Sequence, residues 1–523
     1  MRKKVASTCA LLLSIATVAS FVGCKRENTD KPWGDKIRID VSLYSGGYGT
    51  DWFVELANKY NASQDKYYIN KLPDNKNDLY SISQKIVAGI EEADIFIANI
   101  SDIGALVNSN KLIDLTEIYN TKHEGEDTSV KDKIYDYDFY YNNFTKDEKW
   151  YALPYTDGIS GLVYDHDLFT EKKLLLEDES TANGLTKGRD GVEGTYDDGL
   201  PETYEEFQSL VDRIKYMQLT PFVYSDVIET GLTEPLAETI WAQYDGMTNY
   251  KISYSYEGTY KKPSTGEETE ITPDTAYKLY SEGLMEGRLK SAQFLKEMLL
   301  NPENTYNRSG MSHTDAQGVY LTSHTTKRIA MIVEGAWWEN EAKPSFAVDA
   351  RATGEQWGYG NRDFRMMPMP SFPGESEESK GKNYFASYGE GSVFGLKQED
   401  KEKEAGIIDF LKEYTKDENL RNFTKCSGAK LPFNYEFSEE DVKSFTPFTR
   451  NMLEIMSSPS TQIARVKGFS FVYNYRKPLR WEVRVNGTTV SSLMNTMRKC
   501  TVSEYGEALK AMYNSENWAA ALL

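Results

Sequence analysis

Two adjacent tryptophans at the end of an apolar run are well suited to hold a ligand. The run reads Ile329-Ala-Met-Ile-Val-Glu334-Gly335-Ala336-Trp337-Trp338. An indole combines an apolar face with a hydrogen-bonding edge, and a carboxylate accepts hydrogen bonds from hydroxyl groups. We therefore predict that Trp337 and Trp338 stack on a ligand and that Glu334 accepts hydrogen bonds from it. The alternative for such a pair is one indole in the core and one at the surface.

A loop between residues 189 and 201 gathers carboxylates around several glycines. Its candidate ligand groups are Asp190, Glu193, Tyr196, Asp197 and Asp198. Calcium takes many oxygen ligands, which a glycine-kinked loop can supply from carboxylates and carbonyls. The EF-hand pattern fails, because Val192 and Gly194 stand where oxygen ligands are needed. The loop predicts either a structural calcium site or a solvated acidic turn that caps the helix beginning near Thr203. No other cofactor is expected.

A crossing between two lobes is predicted to position the tryptophans. Trp150–Tyr155 and Leu162–Tyr164 are apolar and favour short buried strands. Residues 156–161 between them are small and offer the backbone a place to bend. Tyr155, at the end of the first strand, is included among the predicted ligand contacts.

The first predicted lobe begins with a strand, a glycine turn and a helix. Ile37–Tyr44 alternates in the manner of a strand, and the glycine-rich residues 45–50 lead into an amphipathic helix over Asp51–Tyr60. Ligands of α/β sheets lie at the carboxyl ends of the strands, so Tyr44 or Tyr48 is predicted to form a wall of the site.

A further buried strand is predicted over 93–99. Asp94 and Asn99 are predicted to bind ligand hydroxyl groups, and capping of the next helix is the alternative for Asn99.

Composition limits the classes of partner. The chain has 523 residues and a formal net charge of -20, which argues against binding a nucleic acid or an anionic membrane surface. Aromatic residues make up 13% of the chain, including 36 tyrosines, and such side chains suit amphipathic ligands such as sugars. Cys426 and Cys500 lie outside the N-terminal segment, and both a disulfide and two free thiols are open alternatives.

The N-terminal segment has the layout of an export signal. Arg2-Lys3-Lys4 precedes an apolar stretch, and Phe21-Val22-Gly23-Cys24 resembles a bacterial lipobox, in which the peptide is cut before a cysteine that carries lipid. We predict a signal peptide over 1–23, lipid such as palmitate on Cys24, and a flexible tether over 24–35. The protein would then be extracytoplasmic and anchored to the outer face of the cell membrane. An ordinary cleaved signal or an uncleaved anchor helix is the alternative.

The order of several short motifs resembles a known family. After the first strand and its glycine turn come Ala93-Asp94-Ile-Phe96, Leu112-Ile-Asp114-Leu115, Tyr151-Ala-Leu-Pro154-Tyr155, Gly161-Leu-Val-Tyr-Asp165, Pro201-Glu-Thr-Tyr-Glu-Glu-Phe207 and the tryptophan run. The set resembles the extracellular solute-binding proteins (family 1) of carbohydrate ABC importers, similar to maltodextrin-binding and alginate-oligosaccharide-binding proteins. The resemblance implies an α/β fold with two lobes, of the periplasmic-binding-protein (Venus flytrap) type and class II-like. The lobes would close on an oligosaccharide and present it to the transmembrane subunits of an ABC permease.

The resemblance also implies bounds for the lobes. It places 36–156 with 388–435 in the N-terminal lobe, and 157–387 with 436–523 in the C-terminal lobe. The protein is expected to be a monomer that binds rather than an enzyme. Some alginate-oligosaccharide binders carry a calcium loop just before a similar helix start, which the acidic loop resembles in place.

Further ligand contacts follow from the same resemblance. Trp337 falls at the family's stacking tryptophan, and Trp481 falls where the family has another stacking aromatic. The segment 384–395 corresponds to the return crossing, from which Tyr388 and Glu390 are predicted to reach the ligand.

Other functions remain open at this point. An exported glycoside hydrolase needs two carboxylates at a set separation, which sequence spacing does not show. A binder of a non-sugar solute such as a peptide is a further alternative. The basic cluster of Arg476, Arg480 and Arg484 is expected to form salt bridges, but it would suit an acidic sugar if it faced the cleft.

Overall fold

The structure is a computed structural model that describes residues 31–465, apart from 74–78, 100–102, 226–228, 256, 273–274, 276–277, 307–309 and 389–390. The predictions for Cys24, Glu390, Trp481 and Cys500 lie outside the described residues, as does the basic cluster near residue 480. The lipid anchor and the disulfide therefore stay predictions.

Strands and helices alternate along the first part of the chain. In order, they are β1 (Ile37–Leu43), α1 (Asp51–Ser63), β2 (Tyr67–Lys71), α2 (Leu79–Ala88), β3 (Ile95–Ala98), α3 (Gly104–Asn108), α4 (Thr116–Tyr119), α5 (Tyr137–Phe144), β4 (Thr145–Lys146), β5 (Lys149–Trp150) and β6 (Leu153–Pro154).

The middle of the chain holds most of the helices. Its elements are β7 (Gly158–Asp165), α6 (His166–Glu171), α7 (Tyr204–Tyr216), β8 (Thr220–Val223), α8 (Glu229–Asp245), α9 (Met247–Ser255), β9 (Gly258–Lys261), β10 (Glu268–Ile271), α10 (Lys278–Ser281), α11 (Glu286–Phe294), α12 (His313–Thr322), β11 (Ile329–Gly335), α13 (Trp338–Glu341), α14 (Lys343–Thr353), β12 (Phe364–Met367) and β13 (Asn383–Tyr388). The last elements are β14 (Ser392–Gly395), α15 (Lys401–Tyr414), α16 (Asp417–Ser427), α17 (Glu439–Ser444), α18 (Pro447–Ser457) and β15 (Thr461–Ala464).

The first lobe is built on a five-stranded sheet of order β2-β1-β3-β14-β6. Strands β2, β1 and β3 are parallel, and β14 runs antiparallel to β3. Every residue of β3 is buried, as expected of an apolar run in a parallel sheet covered on both faces. Because β1 and β3 are parallel neighbours, their carboxyl ends meet at one edge, which brings Tyr44 close to Asn99.

The second lobe is built on a sheet of order β15-β13-β7-β11-β8, with β12 also paired to β7. All eight residues of β7 are buried. Strand β11 pairs along one edge of β7, while β13 and β12 share the other edge. The last residues of β11 pair with Gly161 and Ser160 of β7. Trp337 therefore lies just after a strand near the centre of the sheet.

Two adjacent segments connect the sheets. One runs from β6 to β7 and the other from β13 to β14, and the Tyr155 N–H donates to the Gly391 carbonyl at 3.0 Å, while the Gly391 N–H donates to the Thr156 carbonyl at 2.8 Å. The predicted bend over 156–161 is too long, because Gly158 and the residues after it already pair with β13 in the second sheet. The crossing is thus limited to 155–157, and the predicted lobe bounds stay predictions.

A third contact ties these connections to the end of the described chain. The Arg465 guanidinium bonds to Asp157 at 2.5 Å and to Asp136 at 3.0 Å, and the Ser387 hydroxyl donates to the other Asp157 oxygen at 2.8 Å. Asp157 therefore joins residues from three separate segments. Over the described part of the chain, no helix has both the length and the apolar character needed to cross a membrane.

Candidate functional site

The carboxyl edge of the first sheet presents Tyr44 and Asn99 to the space between the lobes. The side chains of Tyr44 and Asn99 share a hydrogen bond. Tyr44 is 37% exposed. Partial burial raises the pKa of its hydroxyl, and the Glu341 carboxylate of the second lobe adds to this effect. Tyr44 thus offers both a ring and a hydroxyl group to a ligand in the cleft.

Trp337 lies in the same space, surrounded by glycines. A Cβ atom on Gly47, in the turn after β1, would lie 2.4 Å from the Trp337 Cδ1 atom, and one on Gly335 would lie 2.2 Å from Cη2. A Cβ on Gly158, at the start of β7, would lie 3.1 Å from Cζ3. Real side chains do not approach so closely, so glycine at 47 and 335 is what lets the indole take this position.

Two tyrosines complete the walls around this indole. The ring of Tyr48 meets Trp337 edge-on at 6.2 Å between centroids, and Tyr388 lies tilted at 5.6 Å. Tyr48 is buried, and its hydroxyl has no hydrogen-bond partner within the described residues. Leaving such a group unpaired costs about 1–3 kcal/mol. A polar group of a bound ligand would remove that cost.

The lobes touch each other directly beside Trp337. The Asn340 side-chain amide donates to the Gly47 carbonyl at 2.7 Å. Farther out, the Lys343 ammonium donates to the Cys426 carbonyl at 3.2 Å. Both donors follow Trp337 along α13 and α14, and both acceptors belong to the first lobe. The segment after β11 therefore forms the contact surface between the lobes.

A chain of polar side chains extends from the cleft into the second lobe. The Gln317 side-chain amide donates to Glu334 at 3.0 Å and to Glu341 at 2.7 Å. The His313 Nε2 atom lies 3.4 Å from the other Glu341 oxygen, and this contact raises the pKa of His313. Burial raises the pKa of Glu334 to about 8, with a further contribution from Glu341. Burial therefore favours the protonated form of Glu334.

A comparison with models of protein families identifies the family of this chain. The family model for the bacterial extracellular solute-binding protein matches residues 55–447. This chain belongs to that family. Membership implies a location outside the cytoplasm, and members of the family bind solutes rather than transform them. No curated protein sequence matches this solute-binding protein.

Solved structures share the fold of this solute-binding protein. The solute-binding protein RafE in complex with raffinose has 14% identity and a TM-score of 0.56, over 90% of this chain and 100% of that chain. A chitin oligosaccharide binding protein has 15% identity and a TM-score of 0.58, over 91% and 100%. The Thermus thermophilus maltotriose binding protein bound with maltotriose has 16% identity and a TM-score of 0.50, over 91% and 100%. These likenesses confirm the predicted two-lobed α/β solute-binding fold.

Several predicted contacts of this solute-binding protein lie together in the cleft, namely Tyr44, Tyr48, Asn99, Trp337 and Tyr388. Others lie elsewhere. Trp338 is fully buried, packed at right angles to Phe364 and Phe448 in the core of the second lobe. Of the two arrangements considered for the indole pair, the structure thus has one in the core, and we remove Trp338 from the candidate site.

Asp94 is also removed from the candidate site. It precedes β3, at the amino end of that strand and so opposite the cleft, where it accepts a hydrogen bond from the Asp40 N–H and pairs with Lys403 at 2.7 Å. Tyr155 is fully buried behind Tyr44 and Tyr48, with its hydroxyl 3.4 Å from the Tyr44 carbonyl. We assign it a supporting role beneath the cleft wall.

Glu334 needs a similar correction. Its carboxylate is buried and engaged by Gln317 and by the Gly335 N–H, so it does not face a ligand directly. The Glu341 side chain, by contrast, is partly exposed. Sequence reasoning missed Glu341, Asn340, His313 and Gln317. The available signal was the spacing from Trp337 to Glu341, which is one helical turn.

The acidic loop lies apart from the cleft and is held by hydrogen bonds within the loop and to neighbouring segments. Asp197 accepts from the Asp190 N–H and from the Asn383 amide, and Asp198 accepts from the Gly194 N–H and from Asn183. In the part of the chain that the structure describes, no group of three or more His, Cys, Asp or Glu side chains is arranged to hold a metal ion. Glu193 instead accepts from the Ala182 N–H, and the Tyr196 hydroxyl pairs with Thr461. The calcium site stays a prediction.

Proposed function

We propose that this protein is the substrate-binding lipoprotein of an ABC importer, which captures an oligosaccharide in the interlobe cleft and delivers it to a membrane permease. The observation that carries the proposal is the position of Trp337 between Gly47 of one lobe and Gly158 at the start of the other. An indole there offers an apolar face to a sugar ring, while Tyr44, Asn99 and Glu341 supply polar groups at its edges.

Hinge closure supplies the mechanism. A ligand shifts the balance between open and closed states only by its differential affinity for them, so it must contact both lobes in the closed state. Tyr44 lies on the first lobe and Trp337 on the second, so a ligand that touches both residues contacts both lobes. The short crossing at 155–157 and the return crossing limit the motion to a rotation about two adjacent strands.

The burial of Glu334 favours binding over catalysis. Glycoside hydrolysis needs an acid and a second carboxylate on either side of the scissile bond. Glu334, whose raised pKa suits an acid, is 1% exposed and lies behind Gln317. It therefore has no access to a glycosidic oxygen, which favours a binder over a hydrolase.

The same proposal includes the lipid anchor on Cys24 and a monomeric state. The solved neighbours described as bound to raffinose and maltotriose support a sugar as the ligand. A lipid-anchored monomer would stay beside its permease while both lobes remain free to move.

A screen of oligosaccharides against the purified protein tests this proposal. We expect at least one to change the tryptophan fluorescence and to give a saturable heat in calorimetry, with the sugar recovered intact by chromatography. Shortened products would instead identify a hydrolase. If no sugar produced a response while a peptide library did, the ligand class would be wrong.

A further inference from the structure

Glu341 combines three features that set it apart from the predicted contacts. It ends α13, directly after Asn340, whose amide reaches the first lobe. Its side chain is partly exposed, at 20%. Its charge also acts on the hydroxyl groups of Tyr44 and Tyr48 from the opposite lobe. Glu341 is thus a carboxylate at the cleft, close to both walls.

The position of Glu341 is fixed from behind. Gln317 is fully buried and donates to one carboxylate oxygen, while His313 lies beside the other. A long side chain on a short helix would otherwise sample several rotamers. These two contacts leave the carboxylate in one orientation before a ligand arrives.

The polar atoms around the Glu341 carboxylate indicate which hydrogen-bonding groups a ligand must supply. Gln317 uses its amide hydrogens on Glu334 and Glu341, and its oxygen Oε1 has no hydrogen-bond partner within the described residues. The buried Tyr48 hydroxyl is unpaired as well, but a phenol both donates and accepts, so it does not restrict the ligand group. The partly exposed Glu341 carboxylate accepts hydrogen bonds, so a ligand group that reaches it must donate. At C6 a neutral sugar offers a hydroxyl that donates, whereas a uronate offers an ionised carboxylate that only accepts.

We propose that Glu341 is a specificity-determining residue that selects uncharged, hydroxyl-rich oligosaccharides and rejects those that carry uronate groups. The inference rests on the proposed function and names its substrate class. Like charges brought together in a site removed from water repel strongly, and this repulsion discriminates between ligands of similar shape. The nearest lysine on this segment, Lys343, is held by the Cys426 carbonyl and by the ring of Tyr359 at 4.9 Å.

Matched pairs of ligands test this selection. Each pair consists of a neutral tetrasaccharide and its counterpart oxidised at every C6, for example β-1,4-mannotetraose and β-1,4-tetramannuronate, or cellotetraose and its glucuronate form. Calorimetry at fixed ionic strength gives the ratio of the two dissociation constants for each protein. The wild-type protein should prefer the neutral member of every pair that it binds.

The variant Glu341→Gln removes the charge and keeps an acceptor oxygen of the same size. We expect it to reduce the preference for the neutral ligand about tenfold, with only a small loss in neutral affinity. His313→Asn removes the imidazole beside the carboxylate and should increase the preference. The control Glu303→Gln removes one negative charge from an exposed site and should leave the ratio unchanged.

The outcomes separate the two proposals. If wild type binds uronates more tightly, or if Glu341→Gln and Glu303→Gln change the ratio equally, the specificity role of Glu341 is wrong while oligosaccharide binding stands. If neither the oligosaccharide screen nor any pair gives binding, the proposed function fails and this inference fails with it. Thermal melting of each variant shows whether it is folded. If Glu341→Gln is unstable, the ratio of dissociation constants for His313→Asn tests the same role.

Discussion

Replacing Trp337 by alanine tests whether the cleft binds sugar by stacking. The indole packs against the positions of Gly47, Gly158 and Gly335, and its removal leaves no ring in that space. Loss of a large apolar contact costs about 1.5–3 kcal/mol. That range corresponds to a rise in the dissociation constant of about 10- to 150-fold. Isothermal titration calorimetry with whichever oligosaccharide binds wild type measures this change.

A matched control separates stacking from a general effect of losing a tryptophan. Trp33 lies near the start of the described chain, where its ring packs with Tyr68 at 6.4 Å and Arg38 at 4.4 Å. Trp33→Ala should bind with wild-type affinity. Trp337 also contacts the cores of both lobes, so its variant should be titrated well below its own melting temperature. Unchanged affinity in Trp337→Ala, with folding verified, would refute the stacking role.

Four further changes test other parts of the structure. Gly47→Ala places a methyl group against Trp337 and should hold the lobes apart, seen as a larger radius of gyration in small-angle scattering; an unchanged radius would show that the turn adapts. Arg465→Met leaves Asp157 buried without its partner and should lower the free energy of unfolding by about 3–5 kcal/mol in denaturant titrations, whereas a loss below 1 kcal/mol would mean that Asp157 is hydrated. Burial raises the pKa of Glu334 from 4.5 to about 8, so its contribution to stability is complete below about pH 4.5 and is lost as the pH rises towards 8. The stability of Glu334→Gln relative to wild type should therefore increase over that window. A difference in melting temperature that does not change with pH would contradict the burial argument. If the acidic loop binds calcium as predicted, adding calcium after chelation should raise the melting temperature of wild type but not of Asp197→Asn. Equal responses would leave the loop as a turn held by hydrogen bonds alone.

Local sequence was sufficient to predict the first elements of the first lobe. The alternation in Ile37–Tyr44 predicted β1, and the amphipathic pattern from Asp51 predicted α1, which the structure extends to Ser63. These elements depend on neighbours in the chain and on one buried face. The crossing was harder to predict, because Gly158 looks like a bend in isolation and only its pairing with β13, some 230 residues later, makes it a strand.

Part of the cleft could also be predicted, because strand ends and the tryptophan run carry their own signals. Tyr44, Asn99 and Trp337 follow strands that periodicity identifies, and ligands of such sheets lie at strand ends. The prediction for Asp94 was wrong because this residue precedes the strand, although it belongs to the same predicted strand, 93–99, as Asn99. The position of a polar residue relative to the direction of its strand therefore matters more than its chemical type.

The polar groups of the second lobe could not have been predicted by the same means. The proposed role of Glu341 depends on Gln317 on α12 and Tyr44 in the other lobe, which approach it only in space. Glu334 was the more attractive candidate in sequence, since it lies closer to Trp337. A residue inside a central strand, however, is buried by the neighbouring strands and helices, whereas one helical turn beyond the strand the chain has reached the cleft. Ligand contacts in this fold are therefore best sought just after each strand, where the backbone has left the sheet and side chains from both lobes converge.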